Sequence, residues 1–338
     1  MTEVTLHEPL DMHLHLRDGE MLRTVAPLSA RYFSGALIMP NLVPPVTDAE
    51  GLRAYRRRIL EAIGEERFEP YMTLFFKEEY DLDFLKPFAS EITAVKLYPA
   101  GITTNSEGGV SGFEIERLRP ALEAMSELGI PLCIHGETGG FVLDREREFV
   151  PIYEELAVAF PDLTIVMEHI TDATSVAALD RHPNLYATIT LHHLLITLDE
   201  VAGGMLQPHL FCKPIAKRPE DREALLKVAL EAHPKVMFGS DSAPHPRHAK
   251  EAPGCAAGVF TAPIALPALA ELFARHGKLE NLQHFVSTNA RRIYEIEPPA
   301  KRVRLVDRPM KVPEKYGEVV PMMAGEQIGW SVAEIIQE

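Results

Sequence analysis

The chain has 338 residues, of which 46% are hydrophobic and 25% are charged, values typical of a globular protein. Its formal net charge of −15 disfavours nucleic acid and anionic membrane surfaces as partners, although a locally basic site could still hold an anionic small molecule. Three widely spaced cysteines, no signal-like N-terminus and no unbroken apolar span favour reduced thiols, a cytoplasmic location and no membrane insertion.

Short apolar runs alternate with segments of helical periodicity along the whole chain. Runs that are apolar throughout are typical of strands covered on both faces, as in parallel sheets. Eight strands are predicted, over residues 11–16, 36–40, 71–76, 94–98, 131–135, 164–169, 185–190 and 236–240.

Helical patterns separate these runs. Asp48 is a candidate N-cap for a helix that Gly64 ends, and Thr171 or Asp172 is one for a helix over 173–179. Apolar periodicity predicts further helices over the ranges 111–128 and 221–232. Eight strand–helix units favour a (β/α)8 TIM barrel over an open doubly wound sheet, and no glycine-rich dinucleotide fingerprint follows the first strand.

The tail, residues 297–338, differs from the rest in composition. It begins near Pro298 and Pro299 and contains the only tryptophan, Trp330. We predict a C-terminal extension packed on the barrel. The whole chain, residues 1–338, is therefore predicted to be one barrel domain with short extensions at both ends.

Polar residues stand where several predicted strands end, and functional groups of such barrels lie at these ends. The first strand carries His13 and His15, and because residues i and i+2 of a strand share a side, both imidazoles point the same way. Four further strands end in ionisable residues: Lys96, His135, His169 and Asp241. Such groups are costly in apolar surroundings unless they serve a site, and neutral imidazole is a common metal ligand.

In combination these segments resemble the amidohydrolase superfamily and, within it, the short bacterial dihydroorotase type. The matching segments are DMHLHLRDG at 11–19, MPN at 39–41 followed by Pro44 and Pro45, KLYP at 96–99 followed by TTN at 103–105, IHGE at 134–137, EHI at 168–170, PHLFCKP at 208–214 and GSDSAPHPRH at 239–248. The resemblance covers almost the entire chain. An H-x-H pair alone is weakly specific, whereas H-x-H-x-R with M-P-N and D-S-A-P-H is specific.

This resemblance implies two Zn²⁺ ions per subunit. The implied ligands are His13, His15 and Asp241 for one ion, and His135 and His169 for the other. Lys96 would bridge both ions as a carbamate (N6-carboxylysine), together with a hydroxide. Two zinc ions would repel an ammonium group, whereas an anionic carbamate suits their charge.

The resemblance also implies contacts to an anionic substrate. Arg17, two residues beyond His15, would grip a carboxylate bidentately. The other implied substrate contacts are the side chains of Asn41, His135 and His245 and the backbones of Lys213 and Ala257. The side chain of Lys213 departs from the apolar residue expected at its position.

The segment 101–112, GITTNSEGGVSG, has small polar residues between glycines. It is either a plain surface loop or a mobile one. In the family the equivalent loop closes over bound substrate, and Thr103 and Thr104 would make the contacts. Closure would exclude water from the site.

The implied activity is the reversible cyclisation of N-carbamoyl-L-aspartate to (S)-dihydroorotate and water, the third step of de novo pyrimidine biosynthesis. Asp241 would act as base and then as acid. Members of the family are commonly homodimers, so we expect a homodimer. Glu137 and Glu168 are expected to point away from the ligands, and His192 and His193 to have supporting roles.

Two alternatives stay open. A dihydropyrimidinase, hydantoinase or allantoinase usually carries a substantial β-sandwich before its first H-x-H, whereas only twelve residues precede His13 here. Substrates without a carboxylate would also leave Arg17 without a partner. A non-catalytic barrel that serves as a scaffold would have lost metal ligands, yet all the implied ligands and Lys96 are present.

Overall fold

The computed structural model describes residues 2–337. Its strands are β1 (Glu3–His7), β2 (Leu10–Leu14), β3 (Gly35–Ile38), β4 (Glu69–Phe75), β5 (Ala94–Leu97), β6 (Leu132–Ile134), β7 (Ile165–Met167), β8 (Leu185–Ile189), β9 (Val236–Phe238), β10 (Lys301–Val306), β11 (Met310–Lys311), β12 (Gln327–Ile328) and β13 (Ser331–Gln337).

The α-helices of the described residues are α1 (Gly19–Ala30), α2 (Ala49–Ile63), α3 (Leu82–Leu85), α4 (Ile115–Leu128), α5 (Arg145–Ala159), α6 (Ala173–Ala178), α7 (Leu191–Leu195), α8 (Leu198–Ala202), α9 (Pro219–Leu230), α10 (Arg247–Lys250), α11 (Ala265–Arg275) and α12 (Asn289–Tyr294). Short 3₁₀ turns cover Lys86–Glu91, Pro208–Leu210 and Leu279–Asn281, and a π-helical turn covers His284–Thr288.

Strands β2 to β9 form one parallel sheet in chain order, which confirms the predicted (β/α)8 TIM barrel. The sheet closes just beyond its first and last strands. The backbone N–H of Asp241 donates to the carbonyl of His13 at 2.8 Å, and Leu14 bridges Ser242 in parallel. The seam of the barrel therefore lies beside two residues predicted to bind metal.

The ladder of most barrel strands is shorter than the predicted apolar run. β6 ends at Ile134 and β7 at Met167, so His135 and His169 follow their strands. The N–H of His135 still donates to the carbonyl of Leu97 at 3.0 Å, so this residue lies at the last rung of the barrel sheet.

The predicted helices are present with shifted ends. Asp48 caps α2 through the N–H of Gly51, Gly64 ends it, and Asp172 caps α6. The helix predicted over 111–128 begins only at Ile115, because Glu114 still has an extended backbone. The helix predicted over 221–232 is α9, which begins two residues earlier because proline is well tolerated in the first turn.

The interior of the barrel below the mouth is filled with apolar side chains. Its buried cluster comprises Leu10, Met12, Leu37, Met39, Tyr71, Ala94, Cys133, Val166, Met237, Ala290, Ile293 and Tyr294. This packing makes the barrel a solid core rather than a channel, so chemistry is confined to its end.

Both termini contribute to a second, antiparallel sheet in the order β1, β10, β13. The ammonium group of Lys301, on β10, is buried and donates to the carbonyl of Phe33, which follows α1. The N–H of Gly329 donates to the carboxylate of Glu271 on α11 at 3.0 Å. The organisation of residues 1–338 as a single domain stays a prediction. Among the described helices, none has the length and apolar content needed to cross a membrane.

Candidate active site

Three of the predicted ligands converge at the mouth of the barrel. The Nε2 atoms of His13 and His15 lie 3.3 Å apart, and Oδ1 of Asp241 lies 3.5 Å from the first and 3.1 Å from the second. All three side chains are buried. Ligand atoms about 2.0–2.1 Å from one tetrahedral Zn²⁺ would be separated by about 3.3 Å, so this triangle fits a zinc ion.

A β-bulge in β2 aims the two histidines at the site. Asp11 pairs with Ala36 but Leu14 pairs with Ile38, so β2 holds one extra residue between these pairs. Met12 lies in the interior cluster, and the side chains of His13 and His15 also point into the barrel, although neighbouring residues of a regular strand face opposite sides. An extra residue re-aims the side chains that follow it.

Left-handed backbone at three residues directs other side chains. φ is +40° at His169, +42° at Asp241 and +59° at Arg17. Residues other than glycine rarely adopt this conformation, which costs of the order of 1–2 kcal/mol. Each of these residues follows or ends a stretch of barrel strand, so the unusual turn lets its side chain reach the mouth.

A second pair of predicted ligands lies beside the first group. Nδ1 of His135 and Nε2 of His169 are 3.2 Å apart, and the ring of His169 is 4.9 Å from that of His13 between centroids. Burial holds the pKa of His169 well below its usual value, so its imidazole is neutral. Neutral rings with free lone pairs are the form that binds metal.

Lys96 lies at the end of β5, fully buried. Among the described residues its Nζ atom has no hydrogen-bond partner, and the ring of Tyr98 lies 5.2 Å away. Burial lowers the pKa of Lys96 below the usual lysine value. An unpartnered buried amine is costly, so this atom is a candidate to bind or react with a further group.

Glu168 and Glu137 contact the metal-ligand candidates directly, and the prediction that they point away is wrong. Oε2 of Glu168 accepts a hydrogen bond from Nδ1 of His13, and Oε2 of Glu137 accepts one from Nε2 of His135, both at 2.7 Å. Glu168 is two residues beyond Val166 of the interior cluster, and Glu137 is two beyond His135, so the two-residue period itself placed them inside.

These contacts decide which ring nitrogen carries the proton. An ionised carboxylate can only accept, so Nδ1 of His13 must be protonated and its Nε2 must present a lone pair. By the same argument Nδ1 of His135 presents a lone pair. Burial alone would raise the pKa of Glu168, but electrostatic interactions with His13 and Lys96 and hydrogen bonds from His13 and Thr188 bring it below the usual value. The carboxylate is therefore ionised and able to play this role.

Three of the predicted substrate contacts, Arg17, His245 and Ala257, lie next to one another. A terminal nitrogen of Arg17 lies 3.1 Å from Nε2 of His245, and that atom lies 2.9 Å from the carbonyl oxygen of Ala257. Burial and the charge of Arg17 lower the pKa of His245 to about 3, so the ring is neutral. The guanidinium of Arg17 interacts electrostatically with Asp241.

The segment 101–112, which we call the lid segment, lies over the mouth. The side-chain amide of Asn41 donates to the carbonyl of Thr104, and that of Asn105 donates to the carbonyl of Asn41, both at 3.0 Å. Nζ of Lys213 donates to the carbonyl of Ile102 at 2.7 Å. With the lid segment in this position the cavity measures about 20 Å³, which is room for about one water molecule.

The cavity gathers most of the predicted site residues and adds three that sequence reasoning missed. Its lining is His13, His15, Arg17, Asn41, Tyr98, Thr103, Thr104, His135, His169, Lys213, Asp241, Ala243, Ala257 and Gly258. Tyr98 could have been found, because it stands two residues beyond Lys96. A Cβ atom at Gly258 would lie 2.4 Å from the carbonyl oxygen of Ala243, so only glycine fits there.

Two other features were candidates for a site. A larger open groove of about 810 Å³ lies at the opposite end of the barrel, where β4 begins, away from the ligand candidates. His192, His193 and Cys212 form a second buried group of possible metal ligands. There Nδ1 of His193 bonds to Thr190 at 2.8 Å and Nε2 lies 3.1 Å from the carbonyl of Pro214, so this ring is held by the protein itself.

Comparisons with known proteins agree with this geometry. A family model described as Amidohydrolase matches residues 81–296. A dihydroorotase of Helicobacter pylori (strain P12) is 44% identical over 98% of this chain and 99% of its own length. The crystal structure of dihydroorotase from Campylobacter jejuni is 57% identical and superposes with a TM-score of 0.94 over 98% of both chains. The dihydroorotase of Saccharomyces cerevisiae, in complex with 5-fluoroorotic acid, is 33% identical with a TM-score of 0.92 over 98% of both chains.

Near full-length identity of this order shows common descent rather than a shared fold alone. The chain therefore belongs to the amidohydrolase family and, within it, to the dihydroorotases.

Proposed function

We propose that this chain is a zinc-dependent dihydroorotase that interconverts N-carbamoyl-L-aspartate with (S)-dihydroorotate and water. The observation that carries the proposal is the meeting of His13, His15 and Asp241 at 3.1–3.5 Å beside a buried, unpartnered Lys96. The substrate is inferred from the names of the relatives, and the geometry of the cluster supports a site that can act on it.

We propose two metal ions, of which the better supported lies at the cluster of three ligand atoms. His13, His15 and Asp241 would hold one, and His135 and His169 the other. Carbon dioxide would add to the neutral amine of Lys96, forming an N–C bond with loss of one proton. The resulting carbamate would place an anionic group with two oxygens in the site, and Lys96, whose Nζ has no hydrogen-bond partner among the described residues, would hold the two ions together with the histidines and Asp241.

When bound, zinc would lower the pKa of a water molecule towards about 7 and polarise the ring carbonyl under attack. Asp241 would accept the proton released from that water and deliver it to the ring nitrogen as the amide bond breaks. Burial alone would raise the pKa of Asp241, but the hydrogen bond from His15 and the charges of nearby histidines hold it below the usual value. The carboxylate is therefore ionised, which is the form that can act as a base.

Arg17, Asn41 and His245 would orient the substrate through its carboxylate. Arg17 supplies the charge, and its planar fork matches a carboxylate bidentately. The backbones of Lys213 and Ala257 would contact the ring, and Thr103 and Thr104 would contact the substrate from the lid segment. Because the chain's net charge is −15, this local positive group is what would make an anionic substrate acceptable.

The decisive experiment measures zinc content and substrate range on the purified protein. We expect about two zinc ions per chain and turnover of dihydroorotate and N-carbamoyl-L-aspartate, but not of hydantoin or dihydrouracil, which lack the carboxylate. Turnover of hydantoin at a comparable rate would support the alternative, a dihydropyrimidinase or hydantoinase. Zinc binding without turnover of any of the four would support a scaffold.

Two further expectations belong to this proposal. We infer that the protein acts in the cytoplasm as a homodimer and binds neither nucleic acid nor membranes. Light scattering on the purified protein tests the oligomeric state.

A further inference from the structure

The lid segment is anchored at its base by backbone hydrogen bonds, whereas its tip is attached to the rest of the protein through side chains. The N–H of Ala100 donates to the carbonyl of Val110, and the N–H of Val110 donates to the carbonyl of Tyr98, at 2.9 and 2.8 Å. The tip, residues 102–108, has internal bonds through Ser106, whose Oγ accepts from the N–H of Thr103. No α-helix or strand in the described chain includes the tip, so its position depends on a few side-chain contacts.

Lys213 makes the contact that crosses the mouth. The lid segment follows β5, whereas Lys213 lies in the connection that follows β8, three strands further round the barrel. Its ammonium group donates to the carbonyl of Ile102 at 2.7 Å, a charge-assisted bond. The contacts with Asn41 hold the lid segment from the other side, beyond β3. The tip is thereby tied on both sides of the site.

A cavity of about 20 Å³ has no room for a pyrimidine ring, so the lid segment must lift before substrate enters. The hydrogen bond between Lys213 and Ile102 would break when substrate enters and form again for reaction. Its strength therefore changes the relative populations of the open and closed lid segment. We propose that the side chain of Lys213 is a positioning residue that holds the lid segment down over the site. Closure of the lid segment over substrate rests on the proposed function, whereas the hydrogen bond from Lys213 to the lid segment does not.

The test compares two lysines that bind the same segment. Lys213 donates to Ile102 from across the mouth, and Lys77 donates to Gly108 at 3.2 Å from the outer side. Lys213→Met keeps an unbranched apolar stem of similar bulk and removes the donor, and Lys77→Met does the same at the control position. Zinc content and thermal unfolding of each variant show whether the fold is intact.

The first readout is hydrogen–deuterium exchange of peptides covering residues 101–112 in zinc-loaded protein without substrate. Loss of one charge-assisted bond corresponds to about a tenfold faster opening, so we expect about tenfold faster exchange in Lys213→Met and little change in Lys77→Met. Lys213→Arg, which keeps a cationic donor, should recover most of the protection. Unchanged exchange in Lys213→Met, or equal acceleration in both methionine variants, would overturn the proposal. If Lys213→Met loses zinc or unfolds, Lys213→Gln takes its place in the same comparison.

The second readout is steady-state kinetics. We expect kcat of Lys213→Met for dihydroorotate to fall about threefold to tenfold at unchanged zinc content, because the closed position is populated less. Lys77→Met should keep the wild-type kcat. Absence of dihydroorotase activity in the wild-type protein would refute the proposed function, while the exchange experiment would still decide whether Lys213 ties the lid segment.

Discussion

Nδ1 of His13 and Oε2 of Glu168 lie 2.7 Å apart, and both side chains are buried. This bond fixes the tautomer of His13 and turns the lone pair of its other nitrogen towards His15 and Asp241. Thr188 donates to the same carboxylate oxygen at 2.5 Å, so Glu168 is itself held in place. Glu168 and Thr188 therefore set the orientation of His13, a predicted metal ligand.

The substitution Glu168→Gln should weaken zinc binding at the His13 side. The amide can present an N–H to His13, which favours the tautomer with the lone pair on the wrong nitrogen. Outer contacts of this kind typically contribute tenfold to one-hundredfold to metal affinity, so we expect a loss in that range. Competition with a chromophoric chelator measures it. The control is Glu61→Gln, at an exposed position. Equal zinc affinities in the two variants would show that Glu168 does not support zinc binding.

Replacing Lys96 by alanine should remove the bridge between the two ions. We expect a loss of bound zinc and turnover below about one-hundredth of the wild-type rate, because a metal supplies several kcal/mol of transition-state stabilisation. Short carboxylic acids should restore part of the activity by occupying the position of the carbamate. Zinc analysis and rates with and without added acetate or propionate measure this. Full activity without any additive would contradict the carbamate.

Arg17→Met should weaken substrate binding while the metals stay in place. Loss of a hydrogen-bonded charge costs about 1.5–3 kcal/mol, which corresponds to a rise in KM of about tenfold to one-hundredfold. Initial rates against dihydroorotate concentration, with zinc measured on the same samples, separate the two effects. A variant that loses zinc together with affinity would show that Arg17 supports the ligands instead.

His245 should make stability depend on pH in a defined direction. Its pKa is lowered from about 6.5 to about 3 by burial and by Arg17. Between these values the unfolded chain binds the proton and the folded chain does not, so stability must rise with pH up to about 6.5 and then level off. The difference in unfolding free energy between the wild type and His245→Gln should therefore grow from pH 5 to 6.5 and stay constant above it. Urea unfolding at several pH values measures this difference, and a difference that falls with rising pH would contradict it.

Much of the barrel was predictable, because strands covered on both faces are apolar throughout and stand out between helical patterns. Lys96, His135, His169 and Asp241 were found for a related reason, since a polar residue at the end of such a run is conspicuous. The start of α4 was predicted too early because apolar periodicity continues through the non-helical residues before Ile115.

Features that depend on backbone geometry were not predictable. The bulge in β2 and the left-handed turns at His169 and Asp241 leave no clear pattern in residue type, since positive φ is uncommon even for Asp and His, the residue types other than glycine that adopt it most often with Asn. The contacts of Glu137 and Glu168 were missed for a different reason. Each carboxylate lies one or two residues from a predicted ligand, and only the two-residue period of the strand indicates that it points inside.

Metal binding at the seam of the barrel would also affect the stability of the fold. His13 and Asp241 stand on opposite sides of the closure and are 228 positions apart, yet one ion bound to both would join the first strand to the last. Because such a cross-link closes a very long loop, it would stabilise the ring as a whole and not only the mouth. Chelation of zinc should therefore loosen β2 and β9 before the strands on the opposite side of the barrel. In a zinc-starved cell, the barrel would open first at the seam between these two strands.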